Sequence, residues 1–182
     1  MSKRARSRNQ AVRRYKRGLQ KALTCLTGTD IWITPADTTG SEEFLLTVAG
    51  GEPVMLSCGN HDLFFDASQR FSVYHDGREF RVRTLGYIYT MSSSETLETE
   101  VVSWHWHPRT RSRPHIHVGG LALGHVPTGR VTFEAVARYA IEDLGATPGR
   151  DDWEDVLMET EARHAKFRSW SVAPNVDPTD EA

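Results

Sequence analysis

Residues 101–121 read VVSWHWHPRTRSRPHIHVGGL and contain two His-x-His pairs, separated by a segment rich in arginine and proline. Alternate residues of a β-strand lie on the same face, so each pair directs both of its imidazoles to one side. The residues that alternate with the histidines are apolar, namely Trp104, Trp106, Ile116 and Val118. The segment therefore predicts an antiparallel hairpin with one histidine face and one apolar face, and the histidine face is the predicted functional site.

The spacing of the two pairs also predicts how the strands are aligned. The pairs are symmetric about Arg111, and a hairpin folded at that residue sets His107 opposite His115 and His105 opposite His117. Directly opposed side chains have Cβ atoms about 4.5–5.5 Å apart, so the four rings are expected to interact. Protonated imidazoles at that distance repel one another, which predicts lowered pKa values or a bound anion or metal between the rings.

The segment before this hairpin predicts further strands. Short runs of strand-forming residues, bounded by Gly, Pro, Asp and Asn, lie at 31–34, 44–48, 54–58 and 63–65. Asp76-Gly77 is a strong signal for a two-residue turn, which would pair Val73 with Phe80. A polar turn after Met91 then leads the chain into the strand that carries the first His-x-His pair.

Three amphipathic segments predict helices before and after these strands. Apolar residues recur at helical spacing from about Asn9 up to Gly28. Thr132 is a good N-cap for a second apolar stripe, which Gly145 ends, and a third helix from about Asp151 has acidic residues in its first turn. The predicted fold is α+β: an antiparallel β-meander with an N-terminal helix and two C-terminal helices.

Length and composition predict one domain with two polar ends. The chain of 182 residues suits a single hydrophobic core. Residues 1–8 are predicted to be a disordered basic arm, 9–170 a single α+β domain, and 171–182 a flexible acidic tail. Deletion of residues 1–8 is accordingly expected to leave the fold intact.

The basic residues are concentrated at the N-terminus. Residues 1–29 contain nine Lys or Arg and no acidic residue, whereas the rest of the chain holds 13 basic and 24 acidic residues. Such a segment predicts contact with the phosphate backbone of RNA or another nucleic acid, because Lys and Arg release condensed counterions on binding. The alternative is a solvated arm, or one that docks on the protein's own acidic surface.

The sequence also predicts a cytoplasmic protein that does not enter the membrane. No apolar run approaches the roughly 18–20 residues that cross a bilayer, and no apolar segment follows the basic N-terminus as in a signal peptide. The two cysteines, Cys25 and Cys58, lie far apart and outside any Cys-x-x-Cys pattern. A disulfide framework and a thiolate zinc site are therefore not expected.

Arginines surround the predicted histidine face. Arg109, Arg111 and Arg113 lie between the two pairs, and Arg130 follows in a Pro-Thr-Gly-Arg turn. Guanidinium groups bind phosphate through paired hydrogen bonds, so these residues are candidates for substrate binding beside the histidines. The alternative is a solvent-exposed loop without a ligand.

Two tyrosines of the preceding strand are further candidates for substrate binding. Strand alternation places Val82 and Ile88 on the core side and Tyr87 and Tyr89 on the opposite, polar side. There the tyrosines would serve as hydrogen-bond donors or as platforms on which bases stack. The alternative is ordinary packing within the sheet.

The chemistry of the histidines and arginines favours, as the first hypothesis, a metal-independent ribonuclease. One histidine would take the 2′-hydroxyl proton, another would protonate the leaving oxygen, and arginine would stabilise the charged transition state. The candidate catalytic residues are His105, His107, His115 and His117. In this hypothesis no cofactor is expected.

Two alternatives to this hypothesis remain open. In the first, the protein binds zinc or another transition metal, for which imidazole is a suitable ligand. The candidate ligands are then His105, His107, His115, His117 and His125. The carboxylate that many metal hydrolases need is not evident, since Glu100 follows the other alternation. In the second alternative, the protein is a non-enzymatic module that binds nucleic acid or protein.

The segment PHIHVGG, followed by the helical segment TFEAVARYAIEDLG, resembles the TumE-like toxin family over about residues 79–145. Proteins of that family have strands that lead into a His-x-His, a short loop and a closing helix. The resemblance implies a toxin of a bacterial toxin–antitoxin pair that acts on RNA, with an antitoxin protein as its partner. His115 and His117 match the family motif.

Overall fold

The computed structural model describes residues 5–36, 43–108, 113–119 and 125–170, and for 166–170 it describes the backbone alone. In these ranges the helices are α1 (Arg8–Leu23), α2 (Phe133–Glu142) and α3 (Trp153–Phe167). The strands are β1 (Ile31–Pro35), β2 (Glu43–Val48), β3 (Val54–Ser57), β4 (Asp62–His75), β5 (Phe80–Ser92), β6 (Glu100–Trp106), β7 (His115–Val118), β8 (Val126–Pro127) and β9 (Arg168–Trp170). The predicted α+β class, with one helix before the meander and two after it, is confirmed.

The described strands form one sheet in which β4 and β5 are central. Its main order is β1-β2-β4-β5-β6-β7-β8, and each neighbouring pair is antiparallel. Strand β4 is long enough to pair with both β2 and β3 along one edge. Strand β9 runs parallel to the first half of β5, and β6 pairs with the second half.

One face of the sheet, the core face, carries the helices. Along β4 the odd-numbered residues from Leu63 to Val73 are all buried. The Tyr15 ring of α1 lies 4.9 Å from that of Phe71, and α3 packs against α1 and α2. Burial of this apolar face is the main favourable contribution to folding. The opposite face is called the outer face below.

A β-bulge interrupts the pairing of β4 with β5. Phe71 pairs with Thr84 and Arg70 pairs with Gly86, which leaves Leu85 without a partner across the ladder. A bulge adds one residue to a strand and thereby reverses the alternation that follows it. At Gly86 a Cβ atom would lie 2.7 Å from the backbone oxygen of the neighbouring strand, so glycine permits the close approach there.

The bulge reverses the faces predicted for the second half of β5. Val82 is buried before the bulge, and Tyr87 and Tyr89 are buried after it. Ile88 is instead directed to the outer face, where it pairs with a residue of β6. The prediction that the two tyrosines lie on the polar side of the sheet is therefore wrong, because it assumed unbroken alternation.

The turn between β4 and β5 is longer than predicted. Val73 pairs with Val82 rather than with Phe80, so residues 76–79 form a four-residue loop. The Oδ1 atom of Asp76 accepts hydrogen bonds from the backbone amides of the third and fourth loop residues, at 2.8 and 2.9 Å. Aspartate stabilises such loops by replacing backbone acceptors with its own carboxylate.

The helix ends follow local sequence signals. Thr132 accepts a hydrogen bond from the Ala135 amide at 3.0 Å, as expected of an N-cap, and Ser7 caps α1 in the same way. Gly145 has φ of 74°, the left-handed conformation that ends helices. The predicted start of α2 at Thr132 is confirmed. The third helix ends at Phe167, after which the chain forms β9.

Residues 5–8 belong to the folded structure, contrary to the prediction of a disordered arm. Ala5 is buried, its carbonyl accepts a hydrogen bond from the Phe80 amide at 3.0 Å, and its amide donates to Glu79 at 3.4 Å. The backbone of Ala5 thus continues the hydrogen bonding at the start of β5. Residues 1–4 of the predicted arm, and the predicted tail 171–182, lie outside the described residues.

Candidate functional site

The two His-x-His pairs lie on antiparallel strands, as predicted, but the predicted register is wrong by two residues. His105 pairs with His115 rather than with His117, and His117 pairs with Ser103. A shift of two residues preserves the faces of both strands. The histidines therefore still share the outer face, while Trp104 and Trp106 are buried on the core face.

Gly119 explains the observed register. Its amide donates to the Val101 carbonyl at 2.8 Å, which continues the β6–β7 ladder past the end of β7. A Cβ atom at this position would lie 1.8 Å from the Glu100 carbonyl oxygen, so only glycine permits the approach. The prediction from symmetry considered the histidines alone and omitted this contact.

Five imidazoles meet on the outer face, and we call them the histidine cluster: His105, His107, His115, His117 and His125. The ring centroid of His105 lies 4.5 Å from that of His117 and 5.4 Å from that of His115. His125, just before β8, lies 4.3 Å from His115, and His107, just after β6, lies 5.6 Å from His105. All five candidate metal ligands are thus brought together.

Within the cluster, His105, His115 and His117 bring three candidate ligand nitrogens together, and these three residues are here called the triad. One nitrogen from each ring lies within 4.8 Å of the others. The Nε2 atoms of His105 and His117 are buried and have no hydrogen-bond partner among the described residues. The Nδ1 atom of His115 lies 2.7 Å from the Arg113 carbonyl, an arrangement in which Nδ1–H donates and Nε2 keeps its lone pair.

Burial sets the protonation state of three histidines of the cluster. Burial first, and then the neighbouring imidazoles with His117 foremost, lower the pKa of His105 to about 4. Burial also lowers the pKa of His107 and that of His115. These three imidazoles are therefore neutral at neutral pH. The direction of their pKa changes is the one predicted, but burial rather than mutual repulsion is the largest cause.

The tyrosines proposed for substrate binding lie on the core face, away from the cluster. Tyr87 and Tyr89 are 2% and 1% exposed, and their rings stack on each other at 4.8 Å. The Tyr87 hydroxyl accepts from the Val131 amide at 2.9 Å, and the Tyr89 hydroxyl accepts from the Gln69 side chain. Both side chains are used in core packing, so stacking of bases on them is excluded in this structure.

Of the four arginines proposed for substrate binding, the structure describes Arg113 and Arg130. The Arg130 guanidinium lies 4.3 Å above the Trp106 ring, which is on the core face and not beside the histidines. Arg113 is exposed and contributes its backbone carbonyl to the cluster. Arg109 and Arg111 lie outside the described residues.

The basic N-terminal segment also lies away from the histidine cluster. Helix α1 packs on the core face, where the Tyr15 hydroxyl donates to Gln69. The exposed basic residues of α1 are Arg13, Lys16 and Arg17. The basic surface of α1 and the histidine cluster are consequently on opposite sides of the sheet.

The sequence reasoning missed Ser103 as a member of the site. Ser103 is 0% exposed, faces His117 across the ladder, and has a hydroxyl with no hydrogen-bond partner among the described residues. The signal was available, because residue 103 follows the same strand alternation as His105.

A second buried polar pair lies between α2 and α3. Glu134 Oε2 and His164 Nδ1 are 3.1 Å apart, and both side chains are almost completely buried. They border a cavity of about 60 Å³ whose other walls include Tyr15, Leu19 and Val82. No local sequence pattern predicts this contact, because the two residues are on different helices.

No protein-family model, curated protein or solved structure matches the chain. The resemblance to the TumE-like toxin family therefore stays a prediction. Among the described residues, no helix is both long and apolar enough to cross a membrane.

Proposed function

We propose that the protein binds a divalent transition metal ion of the zinc class at His105, His115 and His117. The observation that carries this proposal is the close approach of the triad nitrogens, within 4.8 Å of one another, on a surface where two of the Nε2 atoms are buried. Imidazole nitrogen is a favoured ligand of zinc, copper, nickel and iron. Three protein ligands with one open position are typical of catalytic zinc sites.

The arrangement needs only small changes to hold such an ion. Zinc–nitrogen bonds of about 2.0–2.1 Å place two nitrogens of a tetrahedral site roughly 3.3 Å apart. The triad nitrogens, which lie within 4.8 Å of one another, would therefore have to approach by about 1.5 Å at most, a change of the size that rotation of imidazoles about their side-chain bonds can provide. The hydrogen bond from His115 to the Arg113 carbonyl is the kind of outer contact that orients a metal-bound histidine.

The electrostatics of the cluster also support metal binding. Histidine binds metals through a neutral ring, so protons compete with the metal. Because burial lowers the pKa values of His105 and His115, both rings are already neutral at neutral pH, and each has one nitrogen with a free lone pair for a metal. Acid–base catalysis instead needs a second imidazole that is protonated, a role that His105 cannot fill near neutral pH.

The chemistry that we propose for this centre is hydrolysis by a metal-bound water. A zinc ion lowers the pKa of its bound water to about 7 and so supplies a nucleophile at neutral pH. We propose RNA or another nucleic acid as the substrate, because the exposed basic residues of α1 would attract a phosphate backbone. Such a substrate must reach the outer face, on the other side of the sheet from α1.

A metal-independent ribonuclease that acts as a cytoplasmic toxin, neutralised by an antitoxin, is the second candidate. It is favoured by the basic surface of α1 and by the resemblance of the His115-x-His117 segment to TumE-like toxins. In that mechanism His105, His107, His115 and His117 divide the roles of base and acid. The free, buried thiols of Cys25 and Cys58 suit a reducing cytoplasm.

Metal analysis of the purified protein tests the first proposal. We expect a single zinc-class ion per chain by elemental analysis, and tight binding of Zn²⁺ or Co²⁺ in competition with a chelator. His105→Ala and His117→Ala should each weaken that binding by more than about 100-fold, since loss of an outer-contact partner alone costs 10–100-fold. His61→Ala is the matched control, because His61 is exposed and outside the cluster.

An RNA cleavage assay with and without EDTA separates the candidates. Cleavage that stops in EDTA and returns with zinc supports the metal centre as a hydrolase. Cleavage that persists in EDTA with a bell-shaped pH profile, and is abolished by His115→Ala, contradicts it in favour of the second candidate. If the protein binds no metal and cleaves no RNA, both enzymatic proposals fail and a non-enzymatic binding module remains.

A further inference from the structure

Four positions of β6 and β7 form the corners of a small patch on the outer face. His105 faces His115 across the ladder, and Ser103 faces His117. Ser103 and His105 are alternate residues of one strand, as are His115 and His117 of the other, so all four side chains project to the same side. Three corners are the triad, and the fourth is a serine.

The hydroxyl of Ser103 is unusual in its surroundings. Ser103 is completely buried, and its Oγ has no hydrogen-bond partner within the described parts of the chain. Nearly all buried polar groups in proteins have a partner, and those that lack one call for an explanation. The Nε2 atoms of His105 and His117, on the other corners of the patch, are also buried and have no hydrogen-bond partner among the described residues. A ligand bound at the patch would supply partners to all three atoms.

The reach of each side chain suggests different roles for serine and histidine. The Oγ atom of serine lies two bonds from Cα, whereas Nε2 of histidine lies four bonds away. An ion held at the tips of the three imidazoles would lie farther from the sheet than Oγ and beyond its direct contact. Because the imidazoles occupy three corners of the patch, the open position of that ion would lean towards the fourth corner, so the Ser103 hydroxyl is suited to contact a ligand in that position and not the ion itself.

We propose that Ser103 donates a hydrogen bond to the oxygen of the water or hydroxide in the fourth position of the metal, and so orients it for attack. The inference rests on the proposed metal centre. Ser103 is a positioning residue in this scheme, since the metal and its bound oxygen carry out the chemistry. Donation to the oxygen favours hydroxide over water, because a hydrogen bond is stronger when its acceptor is charged.

The described residues that surround Ser103 on the outer face bring no carboxylate next to it. On the outer face Ser103 is flanked by His105 on its own strand, His117 on β7 and Thr90 on β5. The carboxyl group in this row is that of Asp66, which faces Thr90 from β4, two strands away from Ser103. The row therefore runs from His117 through Ser103 and Thr90 to Asp66. The polar group directly beside the triad in this row is a serine hydroxyl and not a carboxylate.

Cobalt substitution provides the test, because the visible spectrum of bound Co²⁺ reports the ionisation of its water ligand. Ser103→Ala should bind Co²⁺ with unchanged stoichiometry but raise the pKa of the bound water by about one to two pH units, as expected for loss of one hydrogen bond to a charged oxygen. Ser103→Thr should restore the wild-type value. Thr84→Val is the matched control, since Thr84 is also buried with an unpartnered hydroxyl among the described residues, but on the core face.

The outcomes distinguish this inference from the proposal beneath it. If Ser103→Ala binds Co²⁺ and its spectrum titrates as in the wild type, the role of Ser103 is wrong and the metal centre stands. If Ser103→Ala keeps its circular dichroism spectrum but loses Co²⁺ binding, the serine is a ligand and the inference is overturned. If the wild-type protein itself binds no Co²⁺, the metal centre fails and the inference fails with it.

Discussion

His105 is the residue at which the energetics of the histidine cluster are clearest. Its imidazole is surrounded by four other rings of the cluster, and burial together with those neighbours lowers its pKa to about 4. The folded chain therefore holds His105 neutral at pH values at which the unfolded chain, with an ordinary pKa of about 6.5, would protonate it. The difference couples folding to pH.

This coupling predicts that the metal-free protein loses stability in mild acid. Because the folded-state pKa of His105 is depressed, its contribution is fully present above about pH 6.5 and is lost as the pH falls towards 4. We expect urea unfolding in EDTA to show that the free energy of unfolding of the wild type declines as the pH is lowered from 6.5 to 4. The decline should be smaller for the His105→Gln variant. His61→Gln, at an exposed position, should decline as the wild type does. Parallel curves for wild type and His105→Gln would contradict the assigned cause.

At the scale of elements, two departures from the predicted strands had opposite consequences. The β6–β7 register differs by two residues from the symmetric prediction, and all histidines nevertheless remained on one face. The bulge at Leu85 adds a single residue, and it moved Tyr87 and Tyr89 from the predicted polar side into the core. Side chains alternate with a period of two, so an even shift preserves a face and an odd shift reverses it.

Gly119 links the register of the hairpin to the geometry of the triad, and this predicts the effect of a single methyl group. A Cβ atom at Gly119 would lie 1.8 Å from the Glu100 carbonyl oxygen, so Gly119→Ala must displace backbone. We expect the free energy of unfolding to fall by about 2–3 kcal/mol, the upper part of the usual range for overpacking, and metal affinity to fall with it. Chemical denaturation and chelator competition measure the two effects.

Gly129→Ala is the matched control for this substitution. No atom lies within 4 Å of a Cβ built on Gly129, so the added methyl group meets open space. Its effect on both measurements should be small. Equal effects at the two glycines would show that the contact with Glu100 does not determine the register.

At the scale of the whole molecule, the sheet separates the basic surface of α1 from the histidine cluster. The helices occupy the core face, so the basic residues of α1 project away from the sheet on that side. The histidine cluster occupies the outer face. Binding of nucleic acid at α1 and metal binding at the triad are consequently separable properties.

This separation predicts a variant that affects one property alone. Replacement of Arg13, Lys16 and Arg17 by Gln should weaken binding of RNA and reduce the salt dependence of its affinity, by roughly 0.7 in logarithmic slope for each lost contact with a single strand. Metal affinity should stay unchanged, because the triad lies across the sheet. Fluorescence anisotropy over a salt series, with exposed Arg78→Gln as the control, measures the effect.

The triple variant at Arg13, Lys16 and Arg17 tests the basic segment better than a deletion of residues 1–8 does. Such a deletion would remove buried Ala5 and its hydrogen bond with Phe80, and it would thereby alter the fold as well as the charge. An RNA affinity and salt slope that are the same in the triple variant and in the wild type would exclude α1 as the nucleic-acid surface.

The sequence by itself determined the properties that depend on neighbouring residues. The apolar period of each segment determined the order of the three helices and of the strands from β1 to β7, although β8 and β9 were not predicted. Thr132 and Gly145 determined the ends of α2, and the alternation from 104 to 107 determined that histidine and tryptophan take opposite faces. Local sterics and hydrogen bonding act over a few residues, so such features are readable from the chain.

Only the tertiary structure decided which residues meet across the sheet and between the helices. The register that places Ser103 beside the triad, the bulge at Leu85, and the pairing of Glu134 with His164 all depend on contacts between distant segments. Alternative registers and bulges satisfy the same local pattern, and the free-energy differences between them come from packing of whole elements, such as the approach of Gly119 to Glu100. No short segment of the chain contains that information.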